Sequence, residues 1–478
     1  MATLSSIGLG SGLDVNTIIT QLVALERSPI QQLQTEATKI DARLSSFGRI
    51  QSSLDALRTT ARSLADASTW RAASATTSDA TAVTVTASSG SPAGSYAVKV
   101  NALATGQMNA SAAVADAKTA IGSGTLTFEA GTWATDLSGF TPKSGSSAVT
   151  ITIGPGEDTL EKIRDKINGT SGTPVRASIV NDAGGARLVL QSSESGAANG
   201  FRVQVADDDG GNSDALGLSQ LAFDPPGGAT ANARTQAAGN ARATINGLAV
   251  ESTTNAFSNV IDGVSLTLSK VTTGTVDITV GRDTASMRKA IDGFVSAYND
   301  VIKLVRDQTR YDEGSKSAGT LQGDRTAIGL LSQLRSSVGE TSSASGVFGR
   351  LSDIGLSIQT DGTLKVSGSK LDESFAKLDE LQKFFTADGG SSGSNGLAVR
   401  LRALTDQLLG AEGAMSSRQD SLRQLKTNNA KRQETLEDRV ALTEKRLRAQ
   451  YQALDASMAK LNNLSSYVSQ QVNNWNKS

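Results

Sequence analysis

Asp207, Asp209 and Asp214 lie close together in the stretch ADDDGGNSDALG (206–217). Clustered carboxylates of this kind suit calcium, a hard cation that takes roughly six to eight oxygen ligands. The stretch lacks the EF-hand spacing and its closing Glu, so a solvated turn is the expected structure. GPGEDTLEK (154–162) places glycines before a helix. It has no Gly-Lys-Ser/Thr ending to cradle a phosphate, so a helix-initiating turn is the better reading. Gly8, Gly10 and Gly12 fail as a dinucleotide fingerprint. No strand precedes them, and no acidic ribose partner follows a second strand.

The absences bear on chemistry too. The chain has no His and no Cys. That removes thiol nucleophiles, disulfides, Ser-His-Asp triads and the commonest zinc sites. It also removes the one side chain that ordinarily titrates near neutrality. No paired acid and base stands out for a carboxylate hydrolase. The expectation is a non-enzymatic chain with no catalytic residues, no cofactor and no metal.

Stepping from residues to elements, the 478 residues suggest about three or four domains. With 38% hydrophobic residues and 47 Gly, the composition is ordinary for folded protein. The 46 basic and 47 acidic residues leave a net charge of -1. No electrostatic case exists for nucleic acid or an anionic membrane. The opening MATLSSIGLGSGLDVNTIITQLVALE carries no Lys or Arg before Arg27. Ile18, Ile19, Leu22, Val23 and Leu25 are interrupted by polar and small residues at helical spacing. The stretch therefore fits neither a cleaved secretory signal nor a membrane span.

Both ends of the sequence are heptad-patterned. Ile30, Leu33, Ala37, Ile40, Leu44 and Phe47 alternate spacings of three and four, and the pattern resumes at Leu54, Leu57, Ala61 and Leu64. Ser28-Pro29 fits an N-cap followed by proline in the first helical position, which predicts a short leading helix before a long one. At the other end Val440, Leu447, Leu454, Leu461, Val468 and Trp475 recur every seventh residue, with Tyr451, Met458 and Val472 between them. A helix over 415–475 would be on the order of 90 Å long. Its simplest partner is the N-terminal stripe, in an antiparallel hairpin that places Ile40 near Leu447. The candidate seam is Ile30, Leu33, Ile40, Leu44, Phe47, Val440, Leu447, Tyr451, Leu454, Met458, Leu461 and Val468.

Between the ends, 73–283 alternates with period two: AVTVTA, YAVKVNALA, TLTF, AVTITI, RASIV, RLVLQ, FRVQV, and INGLAV with its Asn-Gly turn. DTLEKIRDKIN (158–168) is the one helix there, with Asp158 as its expected cap. The stretches 105–123 and 224–241 read as a flexible segment and a linker, bracketing one β domain inserted in another. Helices return from 284, with LSIQTDGTLKVS (356–367) as a hairpin turning at Asp361-Gly362. GSSGSNG near 390–396 reads as a mobile loop. The predicted fold is α+β, multidomain and elongated, with a terminal antiparallel α-helical coiled coil (1–42 and 425–478) and a helical leg domain (43–72 and 284–424). Two nested β-rich head domains complete it, one at 73–116 and 238–283, the inserted one at 117–237.

These segments together resemble the flagellar hook-associated protein 2 family, the filament-capping proteins. The resemblance lies in SSIGLGSGLDVNTIITQLVALERSPIQQLQ, SYAVKVNALATGQ, the stretch from TLEKIRDKING to SSESGAAN, INGLAVESTTNAFSNVIDGVSLTLS, LSDIGLSIQTDGTLKVSGSKLDES and RVALTEKRLRAQYQALDASMAKLNNLSSYV. It implies export through the flagellar type III apparatus and a place outside the cell at the distal filament tip. It also implies a homo-oligomeric ring and partners among flagellin, the hook-filament junction protein and a cytoplasmic export chaperone at the C-terminal helix. Neither nucleic acid nor membrane insertion is expected. A flagellin or junction protein shares heptad ends, and an adhesin could act through the β head. The hairpin between helices and the bisected β region favour the cap.

Overall fold

The computed structural model describes residues 14–314 and 316–475, so the glycine run at 8–12 lies outside it. In chain order its helices are α1 (Val15–Ala65), α2 (Ala67–Trp70), α3 (Leu160–Gly169), α4 (Thr284–Thr309), α5 (Arg325–Gly339), α6 (Gly368–Ser374), α7 (Leu378–Thr386), α8 (Leu397–Leu409) and α9 (Ala414–Trp475). The chain divides into two compact units. One comprises the residues up to Trp70 and from Ala285 onward, and the other is Arg71–Thr284.

The helical unit is organised by α1. Phe47, Ile50, Leu54, Leu57, Ala61 and Leu64 occupy one face of it and are fully buried. They share a core with Met287, Ile291, Phe294 and Tyr298 of α4, Leu330 and Leu334 of α5, Phe384 and Phe385 of α7, and Leu401 of α8. Each such side chain contributes roughly 1.5–3 kcal/mol by leaving water. Trp70 stacks on Phe385 at 5.2 Å and donates its indole N–H to the Leu64 carbonyl at 2.8 Å. Tyr298 is fully buried with no partner for its hydroxyl among the described residues, and burial pushes its phenol up to about 12. Asp324 caps α5, accepting from the Thr326 and Ala327 amides, and also accepts Nε and Nη2 of Arg418 from α9.

Two local expectations change here and one holds. α1 runs without a break through Pro29. The missing N–H and ring clash cost about 3 kcal/mol in a helix interior. Burial of Val23 and Ile30 on either side of Pro29 offsets that cost. The hairpin at Asp361-Gly362 forms as expected, with Leu356–Ile358 paired to Leu364–Val366. Gly362 takes φ +86, and Arg306 and Arg335 both donate to the Asp361 carbonyl. The expected mobile loop at 390–396 is instead built around Asn395, whose Oδ1 accepts from the Gly389 and Gly390 amides. Ser343 N–H donates to the Gly393 carbonyl at 2.8 Å.

The β unit holds two cores. In the first, a five-stranded antiparallel sheet runs in space Ala73–Thr77, Val276–Arg282, Gly94–Ala102, Ala241–Ile245, Leu248–Ser252. A three-stranded sheet accompanies it, Ala256–Ile261, Val264–Leu268, Val83–Ala87. Val98, Val264, Leu266 and Ile278 fill the space between. Asn246 and Gly247 make the tight turn, at φ 49 and 88, the left-handed region a two-residue hairpin requires.

The second core packs Phe128, Phe201, Leu188 and Ile163 between two further sheets and α3. Thr159, not Asp158, caps α3, its Oγ1 accepting from the Lys162 amide at 3.4 Å. The Asp158 carbonyl is already taken by the Ile121 amide, so the chain is still bridged there. The stretches 105–123 and 224–241, expected as a flexible segment and a linker, are tied into the second core by buried amides. Gln107, Asn109 and Asn232 are fully buried. The Gln107 amide donates to Asn109 Oδ1 and the Phe201 carbonyl, and Asn109 Nδ2 donates to the Asn232 carbonyl. Ala233–Gln236 pairs with Met108–Ala110. Polar, small side chains suggested solvent; here their amides hydrogen-bond inward and substitute for an apolar core.

The terminal helix hairpin as candidate assembly surface

Asp14 starts α1, its carboxylate accepting from the Thr17 amide at 3.1 Å and the Thr17 hydroxyl at 2.5 Å. Those bonds hold its acid below the usual carboxylate range. From there Val15, Ile19 and Val23 recur every fourth residue and, with Ile30, bury one stripe against Val440. Leu436, Leu447 and Tyr451 of α9 pack at the edge of this cluster. The two helices run antiparallel.

The seam residues expected from sequence separate into three groups. Ile30, Val440, Leu447 and Tyr451 meet in this outer cluster. Ile40, Leu44 and Phe47 belong to the leg core, with Met415 and Leu422 as their contribution from α9. Leu33 is half-buried between the two and lines an open groove of about 570 Å³ with Pro29, Glu36, Arg432 and Leu436. Ile40 is therefore not beside Leu447. Its neighbour Asp41 meets Lys426 Nζ at 2.6 Å, and Leu447 packs with the Val15–Val23 stripe. The register follows from where α9 leaves the leg core at Leu422. Once one contact is fixed, a constant rise per residue fixes the rest.

The third group has no such cover. Leu454, Leu461 and Val468 are 45, 59 and 51% exposed, and Leu464, Tyr467 and Val472 beside them are similarly open. Met458 is half-buried, and residues 461–474 are exposed throughout. The apolar repeat thus continues past the last residue of α1 that meets it among the described residues. No described helix is long and apolar enough to cross a membrane. Among the described residues no cluster of three or more acidic groups is arranged to hold a metal. Asp207 and Asp214 turn their carboxylates onto the Ser219 amide and hydroxyl.

Two features were missing from the expected seam. Val15, Ile19 and Val23 supply the outer seam; their four-residue spacing was the available signal. Asn429 sits 5% exposed between the two apolar clusters, accepting from Gln433 and donating to Glu36. A single Asn at a heptad core position carries no distinguishing mark in one sequence.

The chain is similar to known proteins along most of its length. Residues 11–107 match the model of the flagellar hook-associated protein 2 N-terminus, and 238–463 that of its C-terminus. Between them, 125–194 match the flagellin hook IN motif. The B-type flagellar hook-associated protein 2 of Pseudomonas aeruginosa is 31% identical over 94% of both chains. The flagellar hook-associated protein 2 of Escherichia coli K12 is 30% identical over 99% of both. Among solved structures, the D1-D2-D3 domains of the flagellar cap protein FliD from Escherichia coli superpose with a TM-score of 0.60 at 28% identity, covering 79% of this chain and 99% of that one. This chain belongs to the flagellar hook-associated protein 2 family, the flagellar caps.

Proposed function

We propose that several copies of the chain form a ring at the distal tip of the flagellar filament, retain exported flagellin and promote its folding and insertion. The observation that carries this reading is the apolar repeat on α9, packed against α1 up to Tyr451 and, apart from half-buried Met458, exposed from Leu454 onward. A soluble helix does not hold Leu454, Leu461, Leu464, Tyr467, Val468 and Val472 in water without reason. Their heptad spacing suits helices of neighbouring subunits, flagellin or the hook-filament junction protein. The same stripe is the natural place for a cytoplasmic export chaperone before assembly. The β unit then forms the lid under which flagellin emerges. The chain acts by contact alone, with no cofactor and no reaction step, after type III export to the cell exterior.

The test separates folding from assembly. Leu461→Glu with Val468→Glu leaves α1 and the leg core untouched, so the purified double variant keeps its melting temperature. It is expected to abolish tip decoration of filaments from a strain lacking the cap and to spill flagellin into the medium. Full capping by a correctly folded double variant would overturn the proposal.

A further inference from the structure

Arg400 is a buried cation with too little around it. It lies in the first turn of α8 and is 6% exposed. Its Nη1 donates to the Ser392 carbonyl at 3.1 Å and its Nη2 to the Glu340 carbonyl at 3.3 Å. Its Nε has no partner among the described residues. A guanidinium carries five N–H donors, so most of its capacity is unspent. The nearest carboxylate, Glu340, stands 3.9 Å away, is 42% exposed, and accepts from the Ser392 hydroxyl through its other oxygen. Burial lowers the pKa of the guanidinium, and Glu340 opposes this only in part.

The position adds to the imbalance. The N-terminal end of a helix already carries positive potential from its aligned peptide dipoles, which disfavours a cation and favours an anion. Gly396, the N-cap, has no side chain to offer those amides. Arg400 lines an open groove of about 450 Å³ whose other walls include Ser336, Ser337, Ser391 and Asn395. Serine hydroxyls thus share the groove with the guanidinium, and such donors suit an acceptor-rich guest.

We propose that this groove binds a small oxyanion, a carboxylate or a phosphate, against the Arg400 guanidinium. The guest supplies the charge that Glu340 supplies weakly. The site stands apart from the α9 stripe, so it does not depend on the capping role.

Thermal melting and calorimetric titration of the full chain at neutral pH test this, with sodium phosphate and sodium acetate each compared to sodium chloride at equal ionic strength. A saturable rise in melting temperature is expected with at least one of them. Phosphate alone identifies a phosphate-type guest, acetate alone a carboxylate, and both the shared chemistry. Arg400→Gln removes the effect. Because that change strips the bonds to Ser392 and Glu340 and can impair folding, Glu340→Gln is the second arm. Loss of its half-exposed charge tightens binding by roughly two- to fivefold. The proposal is overturned if neither anion exceeds chloride, if folded Arg400→Gln binds as well as the wild type, or if Glu340→Gln weakens binding.

Discussion

The two ends of the same heptad pattern meet opposite fates. Around Phe47, Ile50 and Leu54 every apolar position is sealed in a core shared by several helices. Around Leu454, Leu461 and Val468, a heptad repeat of the same kind leaves the stripe in solvent. Between them the outer cluster of Val15, Ile19, Val23, Ile30 and Val440 is narrow, one stripe thick. Periodicity decides that a face will seek cover. It does not decide whether that cover lies in the same chain. A region that binds others must be left incomplete, and incompleteness has the same sequence signature as a coiled coil.

The contrast is broken most sharply by truncating both ends alike. Phe47→Ala, in the sealed core, is expected to cost about 4 kcal/mol in denaturant unfolding. Leu461→Ala, at the same kind of heptad position, should fall within about 0.5 kcal/mol of wild type. Equal losses would mean the outer stripe is covered within one molecule. Asp324→Ala comes next at about 3 kcal/mol, since it removes the α5 cap and strands Arg418. Charge reversal of the pair, Asp324→Arg with Arg418→Asp, should not restore the capped state, because arginine cannot accept from the α5 amides.

Pro29→Ala sharpens the comparison from the outer side. Restoring the helix hydrogen bond should stabilise the outer hairpin by about 2 kcal/mol. Hydrogen exchange of 15–30 and 436–451 would slow while that of the leg core is unchanged. A uniform change across both would show that the hairpin and core open as one. The smallest effect is Tyr298→Phe. Deleting a buried hydroxyl without a partner should raise stability by about 1 kcal/mol. Since the folded phenol titrates near 12 rather than near its ordinary 10, the wild type holds its full stability below pH 10 and loses it as pH rises toward 12. Tyr298→Phe should flatten that alkaline limb, which a melting series between pH 9 and 12 would reveal.

Much of the fold was legible because its signals were local. The Asn246-Gly247 and Asp361-Gly362 turns, the period-two strands and the α9 heptads each follow from residues a few positions apart. The errors came where distant residues intervened. Pro29 stays helical because Val23 and Ile30 are buried on its flanks. Gln107, Asn109 and Asn232 have the composition of a solvated linker, but they are buried, and Asn109 bonds Asn232 across more than a hundred positions. The candidate seam was named by spacing alone, and its members fall in two clusters and an exposed stripe because spacing does not specify partners.

By itself the sequence determined which faces are apolar, where turns fall, that thiol and imidazole chemistry is absent, and which family the chain resembles. Tertiary structure alone decided the pairing register of α1 with α9, and so the point at which the stripe loses its cover. It also decided that Arg400 is buried beside a serine-lined groove. Helical periodicity is set by hydrogen bonds reaching four residues, whereas register and burial are set by packing between segments hundreds of residues apart.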